Sequence, residues 1–462
     1  MIVRNKESNL GDCLRTVRDL VDEVVVVDTG SHDRTREIAK SFDARIVDFP
    51  WIDDFSAARN ESLQHATSDW IFWMDADDRL DALNRERFKR LRPALPDGAF
   101  TFMMKQRSVP EQAGNSPLVV DHARLFRRNP EVRWRYRLHE QILPSLRDAG
   151  TKMVFTDLVI DHLGYSHSAT RRAKLDRNLR ILQLDLRDRP DDAFVAFNMA
   201  GTLLDMGQHP QAVPHLETCI RLVPKGASFA PKAHVLLVKS NRSLGQIDEA
   251  ERRLAVAKEL FPRSVELLFE EGLLHQMRGN HSAARLAFEA ILSLEKTPQF
   301  VGIDEGVSGH LARHNHAQSL RNLGETAAAE AQWRTAIRRM PQFSPAWLSL
   351  LELLLAQKRF ADAEALARSA EHPRQLPALP GLRARLLLAQ NQSAAAIQVL
   401  ETALEVDPTS QWLRLLLCDV LSRDASQVNL LKHHLQQVLA YDPHHAIARA
   451  KLSELAKAIQ PN

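Results

Sequence analysis

Residues 69–78 place the strongest constraint on the fold, because an apolar run ends there abruptly in carboxylates. The run, residues 70–74, is aromatic and branched, which is typical of a buried strand. In open α/β sheets such strands end at the crevice that binds ligands. Asp75 and Asp77 are two positions apart, so in an extended chain their side chains point the same way. The segment predicts an α/β domain with a carboxylate pair at its ligand-binding edge.

The carboxylate pair indicates a cation site. Two carboxylates held this close repel each other unless a cation lies between them. A hard divalent ion that also contacts a diphosphate is the simplest explanation. A solvated acidic turn is the alternative, and the pair alone does not decide between the two.

Three further segments stand in a fixed order around this one. They are Met-Ile-Val-Arg-Asn-Lys-Glu at 1–7, Glu-Val-Val-Val-Val-Asp-Thr-Gly-Ser at 23–31 and Trp-Ile-Asp-Asp-Phe-Ser-Ala-Ala-Arg-Asn at 51–60. The second predicts a buried strand that breaks into a polar turn, followed by a helix through Lys40. In this order the four segments resemble the family-2 glycosyltransferases of the Rossmann-like GT-A fold. The chain looks most like the branch in which tetratricopeptide repeats follow, which includes bacteriocin S-glycosyltransferases.

The resemblance covers roughly residues 1–165 and implies roles for several side chains. Asp28 would accept a hydrogen bond from the nucleotide base, Asp75 would contact the ribose, and Asp78 would lie near the donor sugar. Asp77 would bind the divalent cation, Mn²⁺ or Mg²⁺. The alternative for Asp28 is a turn that it stabilises itself.

Two arginines in these segments, Arg4 and Arg59, are candidates for the donor diphosphate. The resemblance places Arg59 by the nucleotide, and a guanidinium suits phosphate oxygens. The alternative for Arg59 is a surface salt bridge with Asp54 or Glu61.

A direct displacement at a sugar needs a base that takes the acceptor proton. Glu140 is the candidate, since it follows the basic and aromatic residues 133–137 that could line an acceptor cleft. The alternative is an ion pair with one of those arginines. His162 is the candidate third metal ligand, because GT-A enzymes often recruit a late histidine; the alternative is a histidine without a ligand role. His139 could replace either residue.

The rest of the first domain shows weaker patterns. Strands are predicted at residues 100–104, 123–127 and 154–162, and a mobile loop at 107–117. In the resembling family the first strand begins earlier than Met1 allows. We therefore expect either a short first strand or a start that lacks a few upstream residues, with a looser nucleotide pocket.

A repeated pattern begins after a helical linker predicted at residues 166–190. Six positions each have an alanine five residues on: Gly207, Gly245, Gly279, Gly324, Lys358 and Asn391. Four prolines lie 17 residues beyond their repeat's glycine or asparagine: Pro224, Pro262, Pro341 and Pro408. This is the helix-turn-helix signature of tetratricopeptide repeats. The pattern predicts an all-α superhelix of six to seven repeats over residues 191–460, with Pro443 ending a degenerate seventh unit and a loop inserted at 299–309.

Composition sets limits on partners and compartment. The net charge of +3 gives no electrostatic case for nucleic acid. The three cysteines are far apart, so no disulfide framework follows and a reducing compartment is expected. No apolar run is long enough to span a membrane. We expect a cytoplasmic protein.

Together these patterns predict a metal-dependent, inverting glycosyltransferase that uses a nucleotide sugar, with UDP-sugars favoured. The acceptor would be a peptide, protein or glycan, and the repeats would position it, bind a protein partner or self-associate. One alternative is a non-catalytic repeat scaffold with a decayed transferase domain. Another is a haloacid-dehalogenase-type phosphatase, although that family needs Thr or Val where this chain has Arg79.

Overall fold

The computed structural model describes residues 1–108, 116–164, 168–294, 302–370, 376, 378–442 and 445–458. Contacts divide the chain into two compact units, Met1–Ser308 and Gly309–Asn462. The first unit contains an α/β domain and three helical repeats, and the second contains further helical repeats.

The first half of the α/β domain alternates strands with helices. Its elements are β1 (Ile2–Val3), α1 (Leu10–Val17), β2 (Val25–Asp28), α2 (Thr35–Ser41), β3 (Arg45–Asp48), α3 (Phe55–His65) and β4 (Trp70–Phe72). The first three strands form a parallel sheet in the order β1-β2-β3. The predicted strand and helix around residues 23–40 are confirmed. β1 has two residues and pairs with Val27 and Asp28, so the first strand is short.

The second half of this domain is a mixed sheet. Its elements are β5 (Asp78–Arg79), α4 (Ala82–Leu91), β6 (Phe100–Ser108), β7 (Leu118–Arg127), α5 (Leu143–Asp148) and β8 (Lys152–His162). The strand order is β4-β7-β6-β8-β5. The core lies on both faces: Met104 packs towards α1 and α4, whereas its neighbour Met103 packs towards α5. The three predicted strands are present and longer than expected.

Part of the predicted loop at residues 107–117 is wrong. Arg107 and Ser108 belong to β6, because they pair with Val119 and Leu118 of β7. Residues 109–115 of that prediction lie outside the described residues.

The helical part of the first unit begins with α6 (Ser168–Asp188). Three antiparallel pairs follow: α7 (Ala193–Asp205) with α8 (His209–Leu222), α9 (Ala230–Ser243) with α10 (Ile247–Leu260), and α11 (Val265–Met277) with α12 (His281–Ser293). The second unit contains α13 (His310–Asn322), α14 (Thr326–Arg339), α15 (Ser344–Ala356), α16 (Phe360–Ser369), α17 (Leu379–Ala389), α18 (Ser393–Val406), α19 (Gln411–Leu421), α20 (Val428–Tyr441) and α21 (Ala446–Ala458).

The repeat signature matches this helix-turn-helix pattern. All six predicted turn positions have positive φ, including Lys358 at 58° and Asn391 at 62°, where glycine is replaced. The six alanines are fully buried: Ala212, Ala250, Ala284, Ala329, Ala363 and Ala396. Each of the four predicted prolines lies two residues beyond the end of its helix. The described part of the chain therefore forms six repeats plus further helices, and Pro443 lies outside the described residues.

The helix α6 is packed rather than free. Its Ile181 and Leu182 are buried in one cluster with Leu138 of the α/β domain and Met199 of α7. This packing places the α/β domain and the first repeats in one compact unit, Met1–Ser308.

The segment between the third and fourth repeats returns to the α/β domain. Ile303 and Asp304 form a short strand, β9, antiparallel to Val119 and Leu118 of β7. A 3₁₀ turn, Glu305–Ser308, follows. The predicted loop at 299–309 is therefore wrong for this part, because the segment finds backbone partners in β7; residues 299–301 lie outside the described residues.

We expect Gly272→Ala to destabilise the first unit by about 1–3 kcal/mol, because overpacking displaces well-packed neighbours. A Cβ at this position in α11 would lie 2.4 Å from the ring of Phe288. Thermal or urea unfolding measures the effect. The control is Gly201→Ala in α7, which also adds a Cβ to a helical glycine but meets no atom within 4 Å. Unfolding of Gly272→Ala at the wild-type midpoint would contradict the prediction.

Candidate active site

The acidic segment after β4 is a turn and not an extended strand. The N–H of Asp78 donates to the carbonyl of Asp75 at 3.0 Å, so the chain reverses between them. The expectation that Asp75 and Asp77 belong to an extended chain, with their side chains on the same side of it, is therefore wrong. The turn nevertheless gathers acidic groups: ligand atoms of Asp75, Asp77, Asp78 and His162 lie within 4.8 Å of one another. His162 joins them because it pairs with Asp78 between β8 and β5.

Asp78 is the buried residue that connects the members of this cluster. Its side chain is 0% exposed. One carboxylate oxygen accepts from Arg124 at 2.8 Å and from the Asp75 N–H at 2.9 Å, and the other contacts Nδ1 of His162 at 2.9 Å. Sequence reasoning placed Asp78 near the donor sugar, but here both oxygens are engaged and no side-chain surface is open to a ligand. Its contacts orient the cluster.

Asp77 is a partly exposed carboxylate of the turn. Its side chain is 15% exposed, and it forms an ion pair with Nζ of Lys6 at 3.2 Å. Its other oxygen lies 3.7 Å from Nδ1 of His162. Lys6 follows β1 in the turn where sequence reasoning had selected only Arg4. The lysine supplies the positive charge that offsets Asp77 in this arrangement.

His162 has the surroundings of a metal ligand. Its Nδ1 lies 2.9 Å from Asp78, and in many metal sites a carboxylate orients the ligating histidine in this way. Burial opposes protonation of the ring, but the hydrogen bond to Asp78 and the charges of Asp77 and Asp75 raise its pKa overall. Carboxylate oxygens suit Mg²⁺ and Mn²⁺. Asp77 and His162 therefore fit the predicted ion.

Arg59 links the acidic turn to the candidate base. Its guanidinium donates to Asp75 at 2.8 Å and to Glu140 through Nε. The rings of Trp73 and Trp134 lie 4.6 and 4.8 Å from it. Burial alone would raise the pKa of Asp75, but the charges of Arg59 and Arg124 lower it below its usual range. Arg59 is thus a buried connector between two carboxylates.

These contacts differ from the alternatives considered for Arg59 and Glu140. Asp54 caps α3 by accepting from the Ala57 N–H, and Glu61 pairs with His65, so neither binds Arg59. Glu140 does form an ion pair, but with Arg59 and not with an arginine of residues 133–137.

The two remaining donor-site candidates occupy different environments. Asp28 is buried and accepts from the N–H and hydroxyl of Ser31 and from Arg36 at 2.9 Å. These are the contacts of the turn-stabilising alternative. Arg4 is exposed, and within the described residues it has no hydrogen-bond or ion-pair partner. Arg4 is therefore available to an anionic ligand.

A parallel α/β half-sheet, an acidic turn after β4 and a histidine that faces this turn from β8 match the α/β transferase domain expected from the sequence. Comparison with known proteins agrees: residues 1–88 match the family Glycosyl transferase family 2. Residues 235–299, 314–380 and 381–410 match tetratricopeptide repeat models. The chain therefore carries a family-2 glycosyltransferase domain followed by tetratricopeptide repeats.

Several curated proteins are similar to part of the chain. A TPR repeat-containing protein of Synechococcus elongatus is 36% identical over 45% of this chain and 52% of its own length. The SPbeta prophage-derived glycosyltransferase SunS of Bacillus subtilis is 27% identical over 48% and 52%. The lipopolysaccharide core biosynthesis glycosyltransferase LpsC of Rhizobium meliloti is 30% identical over 35% and 63%. The chain spans about half the length of the first two relatives.

The helices were compared with solved structures and assessed for the ability to span a membrane. A tetratricopeptide repeat protein from Parabacteroides merdae aligns with 54% of this chain and 93% of its own, at 18% identity and a TM-score of 0.41. Within the described residues, no helix combines the length and the apolar character needed to cross a membrane.

Proposed function

We propose that the protein transfers a sugar, with inversion, from a nucleotide-sugar donor to a peptide, protein or glycan acceptor, and that UDP-sugars are preferred. The observation that carries this proposal is the gathering of Asp75, Asp77, Asp78 and His162 within 4.8 Å beside the Arg59–Glu140 pair. The buried Arg59 contacts both a carboxylate of the candidate cation site, Asp75, and the candidate base, Glu140.

The proposed roles in donor binding follow from the contacts and the exposure of each side chain. Asp77 and His162 would hold Mn²⁺ or Mg²⁺, which neutralises the leaving diphosphate. The exposed guanidinium of Arg4 binds phosphate oxygens from the β1 side. Asp75 keeps one side-chain oxygen outside its bond to Arg59 and can accept from a ribose hydroxyl. Asp28 shapes the turn after β2, through which the nucleotide base is recognised.

The acceptor side is built around Glu140. Its carboxylate takes the proton from the attacking acceptor group, and Arg59 fixes its orientation. Direct attack on the face opposite the leaving diphosphate inverts the sugar centre. The repeats supply the surface that positions the acceptor or a protein partner. Asp78 and Arg124 orient the turn without touching substrate.

A repeat scaffold with an inactive transferase domain is the second candidate. One contact favours it: the ion pair with Lys6 balances the charge of Asp77 without a metal ion. Transfer or hydrolysis of any nucleotide sugar by the purified protein would exclude this candidate.

We expect UDP-sugars to bind at least about tenfold more tightly with Mn²⁺ than with EDTA, since unscreened carboxylates repel the diphosphate. Calorimetry or thermal shift with both additives measures the difference. Uridine, which has no diphosphate, is the control, and its affinity should not depend on Mn²⁺. Equal affinity of the UDP-sugar with Mn²⁺ and EDTA would remove the cation from the proposal.

A further inference from the structure

The candidate base lies on a short hairpin. Arg135 and Gln141 exchange backbone hydrogen bonds of 3.0 and 2.9 Å, which close residues 135–141 into one unit. At one end of this hairpin Glu140 reaches Arg59. The residues in the middle face the helical repeats instead. The position of the base therefore depends on what holds the middle of the hairpin.

The hairpin backbone needs external support. Tyr136 has φ of 75° and His139 has φ of 54°, a region that side chains other than glycine rarely adopt. Such conformations persist only where surrounding contacts impose them. Tyr136 begins the segment that contacts the repeat region, and His139 directly follows it.

Three contacts from the first helices of the repeat region supply this support. The N–H of Arg137 donates to Asp185 of α6 at 3.0 Å, and the hydroxyl of Tyr136 donates to Asp192, the residue before α7, at 3.1 Å. Leu138 is buried in the cluster formed with α6 and α7. Each contact joins the middle of the hairpin to the repeat side.

Asp185 is the central member of this set. Its side chain is 2% exposed, and its other neighbours are the guanidiniums of Arg189 at 3.6 Å and Arg137 at 3.9 Å. Burial raises the pKa of this carboxyl, and the Arg137 N–H opposes that shift. A buried carboxylate needs its hydrogen-bond partners, so Asp185 restrains the backbone of Arg137 that it binds.

The same helix also supports the arginine partner of Glu140. The carbonyl of Arg137 accepts from the N–H of Phe55, the first residue of α3, at 2.8 Å, and α3 carries Arg59. Arg180 of α6 binds Asp53 just before α3 at 2.9 Å. Helix α6 thus contacts both segments that carry this pair: the hairpin with Glu140, and the residues just before α3, which carries Arg59.

We propose that Asp185 is a positioning residue of the active site, which holds the 135–141 hairpin so that Glu140 faces Arg59. This inference rests on the proposed function of Glu140 as base. It makes α6 and the first repeat part of the transferase machinery, beyond any role in acceptor binding.

The test compares two aspartates of one helix that contact the same arginine. Asp185 binds the backbone of Arg137, whereas Asp188, 54% exposed, binds only its guanidinium, at 2.8 Å. In the 462-residue chain, Asp185→Ala should lower kcat about ten- to a hundredfold through misplacement of the base, with donor KM unchanged. Asp188→Ala should change little, because surface ion pairs contribute little. Asp185→Asn keeps an acceptor oxygen and should restore most of the rate.

A double-mutant cycle separates positioning from general damage. If Asp185 acts through Glu140, Asp185→Ala should have little further effect in a Glu140→Gln background. An equal loss in both backgrounds, or equal rates for Asp185→Ala and Asp188→Ala, would overturn the inference.

Hydrogen exchange gives a second readout that needs no activity. Amides of residues 135–141 should exchange faster in Asp185→Ala than in wild type or Asp188→Ala, and unchanged exchange would overturn the inference. If Asp185→Ala does not fold, Asp185→Leu, which has a similar volume but no acceptor oxygen for the Arg137 N–H, takes its place in the exchange and rate measurements. A wild type that transfers no sugar contradicts the proposed function alone, and exchange then decides on the positioning contact.

Discussion

Asp77→Ala should reduce sugar transfer by about 10³-fold or more, since a metal ion contributes several kcal/mol to the transition state and each 1.4 kcal/mol is tenfold. Asp77 is a partly exposed carboxylate of the turn, and its partners are Lys6 and His162. Its removal leaves no fully buried charge unpaired, because the side chain of Lys6 is 36% exposed. The thermal midpoint should therefore stay close to that of wild type, and binding of UDP-sugar should lose its dependence on Mn²⁺.

The matched control is Asp69→Ala at the other end of β4. Asp69 is 75% exposed and lies 3.9 Å from Arg127, so its loss should leave both rate and stability unchanged. Transfer rates, Mn²⁺ titrations and unfolding curves on the same preparations decide the outcome. An Asp77→Ala protein that is folded and transfers sugar at more than a few per cent of the wild-type rate would refute the assignment.

Glu140→Gln should keep donor binding and lose acceptor transfer by about a hundred- to ten-thousandfold, the usual contribution of a positioned base. Glutamine preserves the shape and can still accept from Arg59, but it cannot take a proton. Slow hydrolysis of the donor should survive better than transfer, because water needs less positioning than an acceptor does.

Glu61→Gln is the control for Glu140→Gln. Glu61 lies on α3 beside His65 and belongs to the same arginine-bearing helix, without contact to the acidic turn. If Glu140 serves only as the partner of Arg59, its substitution should lower the thermal midpoint while turnover per folded molecule stays near normal. That combination would shift the search for a base to His139, which lies next in the hairpin.

The sequence predicted the elements that local patterns encode. The branched run before Asp28 and the aromatic run before Asp75 are strands because such residues fit a buried sheet. The repeat turns were recognisable even at Lys358 and Asn391, since the alanine five residues on marks the same close helix packing. Periodicity and turn chemistry act over a few residues, so they can be read without the fold.

The contacts of the site depended on long-range pairing and were largely missed. Arg124 reaches Asp78 because β7 and β5 lie in one sheet, and nothing near Arg124 in sequence indicates that register. Lys6 was within a recognised motif, but only the fold shows that it meets Asp77. The bond between Arg59 and Glu140 joins residues 81 positions apart. A strand-end carboxylate can be recognised from sequence, whereas its partners require the tertiary structure.

The short strand β9 has a consequence for how the repeat array can vary. The chain leaves the α/β domain after β8 and returns to β7 at Ile303, so the first three repeats are attached to that domain at both ends. Insertion or deletion of a whole repeat between these attachments would shift β9 by the rise of a helix pair and detach it from the sheet. The two attachments to the α/β domain therefore limit the number of repeats that this stretch can contain. In protein engineering, repeats should be added or exchanged beyond Ser308 and not before it.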